Sequence, residues 1–134
     1  MADDVKGSCL LRSEADIVTS RQVVRSLTQR LKFSLVDQTK MITAASELSR
    51  NTVVYGGGGD LDWEILDTGA KVGLKLQFRD QGPGIADLPL ALQDGWTSGK
   101  GMGLGLSGSK RLVHEFDIQT EVGKGTCVSV TRWK

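Results

Sequence analysis

Glu47-Leu48-Ser49-Arg50-Asn51 stands near the C-terminal end of an amphipathic stretch that opens at Ser34-Leu-Val-Asp37 and runs to about Tyr55. Ser34 followed three residues later by Asp37 is a capping box, which marks the helix start. Gly56-Gly-Gly-Gly59 marks its end, because glycine takes the left-handed cap conformation without a Cβ penalty; four glycines together also suggest a mobile turn. Glu47 and Asn51 are four residues apart and share one face of that helix. Projected at about 100° per residue against Met41, Ala44, Leu48, Thr52 and Tyr55, both fall at the edge of the core-facing side.

Upstream, Cys9-Leu-Leu11 reads as a short strand. Ser13-Glu-Ala-Asp16 is a second capping box, opening a helix whose apolar stripe is Ile17, Val24, Leu27 and Leu31. The other face carries Arg21, Arg25 and Arg30, either a solvated face or a docking surface for an acidic partner. Downstream, Leu61, Trp63 and Ile65 alternate with Asp62 and Glu64. After the turn Asp67-Thr-Gly69, the residues Val72, Leu74, Leu76 and Phe78 alternate again, which predicts a hairpin. From Gln81 to Gly103 the pattern is irregular apart from a short helix around Leu88–Leu92. A helix is expected over Leu104–Phe116, then a strand through Ile118, Thr120 and Val122, a turn at Gly123-Lys-Gly125, and a last strand over Thr126–Trp133. Helices, hairpin, loop, helix and hairpin in this order predict an α+β fold. The expected form is a two-layer α/β sandwich with a mostly antiparallel, mixed sheet covered by about three helices, one domain over residues 1–134.

Composition narrows the function classes. The net charge is +1, from 17 basic and 16 acidic residues, which gives no footing for a nucleic-acid or membrane partner. No apolar run approaches the roughly 20 residues of a membrane span, and the polar start Met-Ala-Asp-Asp is no signal peptide, so a cytoplasmic location is expected. Cys9 and Cys127 match no metal-ligand spacing and read as two reduced, partly buried thiols. Glycine is in excess, at 17 residues, and concentrates between Gly56 and Gly125.

Three segments carry chemistry. At the margin of a packed helix Glu47 and Asn51 are either a capping or surface pair, or groups that need polar partners. A hydrated Mg²⁺ with a nucleotide would supply those partners: an amide oxygen suits Mg²⁺, and a carboxylate one turn earlier suits a general base. Asp80 ends a strand and is followed by Gly82-Pro-Gly84-Ile85. This is either a plain turn or a carboxylate placed to accept a hydrogen bond from the amino group of adenine, beside glycines that admit a flat ring. Gly101-Met102-Gly103-Leu104-Gly105-Leu106 opens a helix and so offers backbone N–H groups to a phosphate. Lys100, just before it, is either a solvated loop residue or a contact to a terminal phosphate. Spread over about 60 residues in this order, the three read as an ATP site that is not a P-loop.

Two other matches are accidental. Gly103-Leu-Gly105-Leu-Ser-Gly108 fits GxGxxG but follows a loop, whereas the dinucleotide fingerprint follows a strand. Gly99-Lys100-Gly101 lacks the Ser or Thr of a P-loop. His114, the only histidine, is expected in the last turn of a helix with a structural role, and Trp63, Trp96 and Trp133 are expected to pack.

Glu47…Asn51, Asp80-Gln-Gly82-Pro-Gly84, Gly101–Leu106 and Gly125-Thr126 together resemble the N-box, the two glycine boxes and the last strand of the GHKL superfamily of ATP-binding domains, from about Ser13 to Trp133. Within it, Asp37-Gln-Thr, Ser46-Glu47-Leu-Ser-Arg50-Asn51, Asp80-Gln-Gly-Pro-Gly-Ile, Asp94-Gly-Trp and Lys110-Arg111-Leu112 resemble the RsbT-type switch serine/threonine kinases of the bacterial stressosome. The resemblance implies a kinase that phosphorylates STAS-domain scaffold and antagonist proteins. On release it would activate an output protein, commonly a metal-dependent phosphatase. It implies Asn51 as the Mg²⁺ ligand, Glu47 as general base and Asp80 as reader of adenine, with Gly82, Gly84, Ile85 and Thr126 around the base. Residues 101–106 would hold the phosphates under a lid over about Ala86–Lys100. Related anti-sigma kinases carry an arginine before the second glycine box, where this chain has Gly99-Lys100. The same likeness leaves two other readings open: an anti-sigma factor that binds a sigma subunit directly, and a nucleotide-gated binding module without transfer.

Overall fold

The computed structural model describes residues 4–87, 89, 92 and 106–134. Strand β1 (Lys6–Leu11) leads into α1 (Glu14–Arg30) and α2 (Leu35–Arg50), which continues as a π-helical turn (Asn51–Tyr55). Strands β2 (Gly59–Asp67) and β3 (Val72–Asp80) follow, then α3 (Leu106–Arg111), β4 (Glu115–Glu121) and β5 (Gly125–Trp133). The sheet order is β1-β2-β3-β5-β4 with every neighbouring pair antiparallel. The α+β architecture is the expected one; among the described residues its sheet is antiparallel throughout rather than mixed.

Both helix starts are made by the expected serines. Ser13 Oγ accepts from the Asp16 N–H at 3.3 Å and Ser34 Oγ from the Asp37 N–H at 3.1 Å, each satisfying a first-turn donor that the helix itself leaves unpaired. Small polar residues let α1 and α2 approach closely: Ser20 Oγ and Ser49 Oγ lie 2.9 Å apart, both fully buried. The helices cover one sheet face. Leu61, Leu74, Leu76, Phe78, Val128 and Val130 project from the strands against Val24, Leu27, Met41, Ala45 and Leu48. Alternation puts Lys75, Gln77, Arg79 and Ser129 on the opposite, more open face.

Two expectations are corrected. The last helix is shorter than Leu104–Phe116: α3 stops at Arg111, and Phe116 belongs to β4. The reason is tertiary. The Leu112 N–H reaches back to the Ser109 carbonyl at 3.1 Å, closing a tight last turn. Arg132 Nη1 then takes the Leu112 carbonyl at 2.9 Å, and the His114 N–H pairs with the Thr131 carbonyl at 2.9 Å, starting the sheet ladder. His114 therefore sits in the turn before β4 and not in a helix, where its Nδ1 accepts the Trp133 N–H at 2.8 Å. Arg132 also donates to Asp37 Oδ1 at 2.6 Å, which ties the start of α2 to the end of β5. That guanidinium holds the Asp37 carboxyl below the usual carboxylate range. Trp63 and Trp133 pack as expected, each ring lying against a glycine, Gly7 and Gly73 respectively; Trp96 lies outside the described residues.

Candidate functional site

The end of α2, the end of β3 and the start of β5 converge on one recess. Leu48, Asn51, Thr52 and Tyr55 line it from the helix, Phe78, Asp80, Thr126 and Val128 from the sheet, and Ile85 and Leu106 from the two ends of the intervening connection. The π-helical turn helps to build the helical wall. Its i→i+5 bond, from the Gly56 N–H to the Asn51 carbonyl at 2.9 Å, widens the coil where Asn51 and Tyr55 face the recess. The cavity between these walls is about 20 Å³, room for about one water, so a base fits only after the recess widens.

Asp80 is the chemical centre of the recess. Its Oδ1 accepts the Gly82 N–H at 2.9 Å, and the carboxylate also accepts from the Thr126 backbone N–H. Burial nevertheless wins, and the Asp80 pKa lies above the usual carboxylate value. Two backbone donors leave part of the carboxylate's acceptor capacity for a third. Behind Asp80 a wider cleft of about 730 Å³ runs along residues 56–59 and 119–121, edged by Arg12, Arg79 and Lys124. Asp80 and Thr126 stand in the walls of both spaces. The recess, walled by Leu48, Phe78, Ile85, Leu106 and Val128, is the one suited to a flat apolar ring.

The glycine turn after Asp80 is clamped on two sides. Tyr55 Oη donates to the Gly84 carbonyl at 3.3 Å. From the β4–β5 hairpin, Thr120 Oγ1 accepts the Ile85 N–H at 2.8 Å, and the Gly123 N–H donates to the Pro83 carbonyl at 2.9 Å. Gly56 explains part of the glycine excess: a Cβ there would lie 2.4 Å from Asp80 Cγ. Gly56→Ala is therefore expected to displace the carboxylate and lower nucleotide affinity about tenfold, the loss of one hydrogen bond to a charged group. The control is Gly108→Ala in α3, where a Cβ meets nothing within 4 Å. It is expected to stabilise the fold by about 0.5–1 kcal/mol. Nucleotide titration and thermal melting of the two variants check both.

Of the sequence-selected residues, the recess gathers Asn51, Asp80, Ile85, Leu106 and Thr126, with Gly82 and Gly84 in the turn beneath. Ile85 and Leu106 are buried and Asn51 is half-buried. Glu47 is exposed on α2, one turn before Asn51, and is not among the residues lining the recess. Lys100, Gly101, Met102, Gly103, Leu104 and Gly105 lie outside the described residues, as do most of the expected lid over 86–100 and of the short helix around Leu88–Leu92. Sequence reasoning missed three contributors. Gly56 reads as a helix stop, Tyr55 as the end of an apolar stripe and Thr120 as a strand residue. Each acts across 24 residues or more, so no local pattern marks it.

The donor set suits Mg²⁺ with a nucleotide. Among the described residues no group of three or more His, Cys, Asp or Glu could hold a metal ion, so a transition-metal cage is not built there. A single amide at the recess wall fits a cation that keeps most of its waters and takes its other ligands from phosphates. No helix among the described residues is long and apolar enough to cross a membrane.

Comparison with known proteins gives the family. Residues 36–134 match the family model described as histidine kinase-, DNA gyrase B- and HSP90-like ATPase. The chain is 41% identical over 127 residues to the serine/threonine-protein kinase RsbT of Bacillus subtilis (strain 168), covering 94% of this chain and 96% of that one. It is 25% identical over 120 residues to the anti-sigma F factor of Thermoanaerobacter sp. (strain X514), covering 85% and 82%. In structure it resembles the catalytic domain of the histidine kinase ThkA, with a TM-score of 0.50 at 16% identity, over 86% of this chain and 90% of that one. A chain that matches that family model over most of its length, and RsbT over nearly all of it, belongs to the histidine kinase-, DNA gyrase B- and HSP90-like ATPase family, and within it to the RsbT-type serine/threonine-protein kinases.

Proposed function

We propose that this chain is a cytoplasmic single-domain switch kinase that transfers the γ-phosphoryl group of ATP to serine or threonine of STAS-domain scaffold and antagonist proteins. Once released, it activates an output protein such as a metal-dependent phosphatase. The observation that carries this reading is the recess itself, in which a half-buried carboxylate, an amide and a hydroxyl meet among apolar walls. The likeness to RsbT over nearly the whole chain supports the choice of a protein hydroxyl as acceptor.

The roles follow from each group's chemistry. Asp80 accepts from the adenine amino group and orients the base. Residues 101–106 would hold the phosphates, with Lys100, the residue before them in sequence, as a further cation. Asn51 would hold Mg²⁺, which when bound offsets charge on the phosphates and aligns them. Glu47, one turn from Asn51 and open to solvent, would accept the proton of a partner hydroxyl. The new phosphate, at about −1.5 to −2 charges, weakens the complex and releases the kinase.

The test is label transfer from γ-labelled ATP with Mg²⁺, with and without STAS-domain proteins of the same genome. Label on a STAS serine or threonine is the expected result. The likeness to anti-sigma F factors supports a second reading, direct binding of a sigma subunit. ATP binding without label on any STAS protein, together with capture of a sigma subunit, would favour it. Neither label nor capture would leave a nucleotide-gated binding module.

A further inference from the structure

We propose that Thr120 is a positioning residue that fixes the Thr126 hydroxyl as a pure acceptor, so that the floor of the recess demands a base carrying an amino group. The inference rests on reading the recess as the base site. Its basis is the count of protons and lone pairs on two facing hydroxyls. Thr120 and Thr126 are register partners across β4 and β5, with their Oγ1 atoms 2.9 Å apart. A threonine hydroxyl has one proton and two lone pairs.

The Ile85 N–H donates to Thr120 Oγ1 at 2.8 Å and occupies one lone pair. The Gly125 carbonyl, 3.3 Å away, can only accept, and giving it the Thr120 proton is the assignment that leaves every contact of Thr120 satisfied. The contact between the hydroxyls then has one direction: Thr126 donates into the second lone pair of Thr120. Every capacity of Thr120 is used, and Thr126 has given up its only proton. The reverse direction forfeits the bond to Gly125.

Thr126 therefore faces the recess with lone pairs alone, beside the Asp80 carboxylate, which also only accepts when ionised. Two acceptors side by side match an exocyclic amino group with its two N–H bonds. They penalise a purine that has hydrogen or a carbonyl oxygen at that carbon, because unpaired acceptors at a half-buried site are costly. Nothing in β4 marks Thr120 locally; its partners are 5, 6 and 35 residues away.

The experiment titrates wild type, Thr120→Val and Thr120→Ser with ATP and with the purine ribonucleoside triphosphate that has hydrogen in place of the 6-amino group. Thr120→Val frees the Thr126 hydroxyl to turn. It is expected to weaken ATP about tenfold, one hydrogen bond's worth, and the analogue far less, so that the preference for ATP collapses. Thr120→Ser is expected to restore the preference. KM for ATP should rise with kcat at saturating ATP unchanged. A merely structural Thr120, anchoring Ile85, would weaken both nucleotides by the same factor, and that result would overturn the proposal, as would no change in either. Should Thr120→Val not fold, Thr126→Val carries the test, because an unaltered ratio there overturns the proposal equally. Asp80→Asn separates the two levels. Intact ATP binding in that variant sinks the base site, whereas its loss beside an unaltered ratio in Thr120→Val sinks only the role given to Thr120.

Discussion

Asp80→Asn is expected to lower ATP affinity by about 10- to 150-fold, the 1.5–3 kcal/mol range of a hydrogen bond to a charged group. The change is nearly isosteric, so its effect is one of donor and acceptor sense. The carboxylate already accepts from the backbone N–H groups of Gly82 and Thr126. An amide has one oxygen and one NH₂. If the oxygen faces Gly82, the NH₂ must face either the Thr126 N–H or the amino group of the base, and both are donors. The fold itself should not suffer. Burial raises the Asp80 pKa above its value of 3.8 in the unfolded chain, so the ionised carboxylate opposes folding at neutral pH. The folded state therefore gains relative stability from this group as pH falls through the raised pKa. Nucleotide affinity should move the other way in the same window, because a protonated Asp80 has lost the charge and part of the acceptor capacity that the amino group uses. Calorimetric titration of ATP across that acidic range, beside melting curves, checks both slopes. In Asp80→Asn the Asp80-dependent part of both should vanish. An Asp80→Asn variant with wild-type affinity would remove this carboxylate from base reading.

How far this site could be read from sequence follows from the distance over which each part acts. The caps at Ser13 and Ser34 and the turns at Asp67-Thr-Gly69 and Gly123-Lys-Gly125 obey rules spanning two to four residues, and all four stand where the pattern put them. Asp80 was legible because a strand end followed by glycine and proline is itself a local signal. The end of α3 was not legible. Leu112, Val113 and Phe116 continue an apolar spacing that a helix would accept, and what stops the helix is Arg132, which arrives from β5. The same residue binds Asp37 across 95 positions. Gly7 conceals the full length of β1, because a glycine weakens a strand signal; here it is required, since a Cβ would enter the Trp63 ring at 2.6 Å. The clamps on the glycine turn, through Tyr55, Thr120 and Gly123, exist only once helix end, hairpin and turn have met. Sequence thus supplies the groups proposed to meet the nucleotide, and tertiary contact supplies what holds them in place.

Glu47→Gln is expected to leave ATP affinity within about twofold of wild type and to lower phosphoryl transfer by about 10²- to 10³-fold, the lower part of the general-base range. The affinity should persist because Glu47 is exposed and lines no wall of the recess. The lower part of the range applies because phosphoryl transfer passes through a loose transition state, in which the attacking hydroxyl keeps much of its proton until late. Glutamine keeps the length and an acceptor oxygen, so whatever remains measures orientation without basicity. Asn51→Ala, four residues on and about 6 Å along the helix axis, should behave differently. It should lose ATP affinity in Mg²⁺ but converge with wild type in excess chelator, since the missing amide matters only to a metal-bearing nucleotide. Single-turnover transfer to a STAS-domain substrate, with nucleotide titrations in both conditions, separates the two residues. The pattern expected is one variant that binds and does not transfer, and one whose binding defect disappears with the metal. If Glu47→Gln transferred at the wild-type rate, proton removal would belong to another group or to solvent. Glu47 would then be a surface residue that shares a helix face with Asn51 and nothing more. If Asn51→Ala were equally impaired with and without Mg²⁺, its amide would act on the nucleotide or the recess wall directly, and the metal would be held from the phosphate side alone.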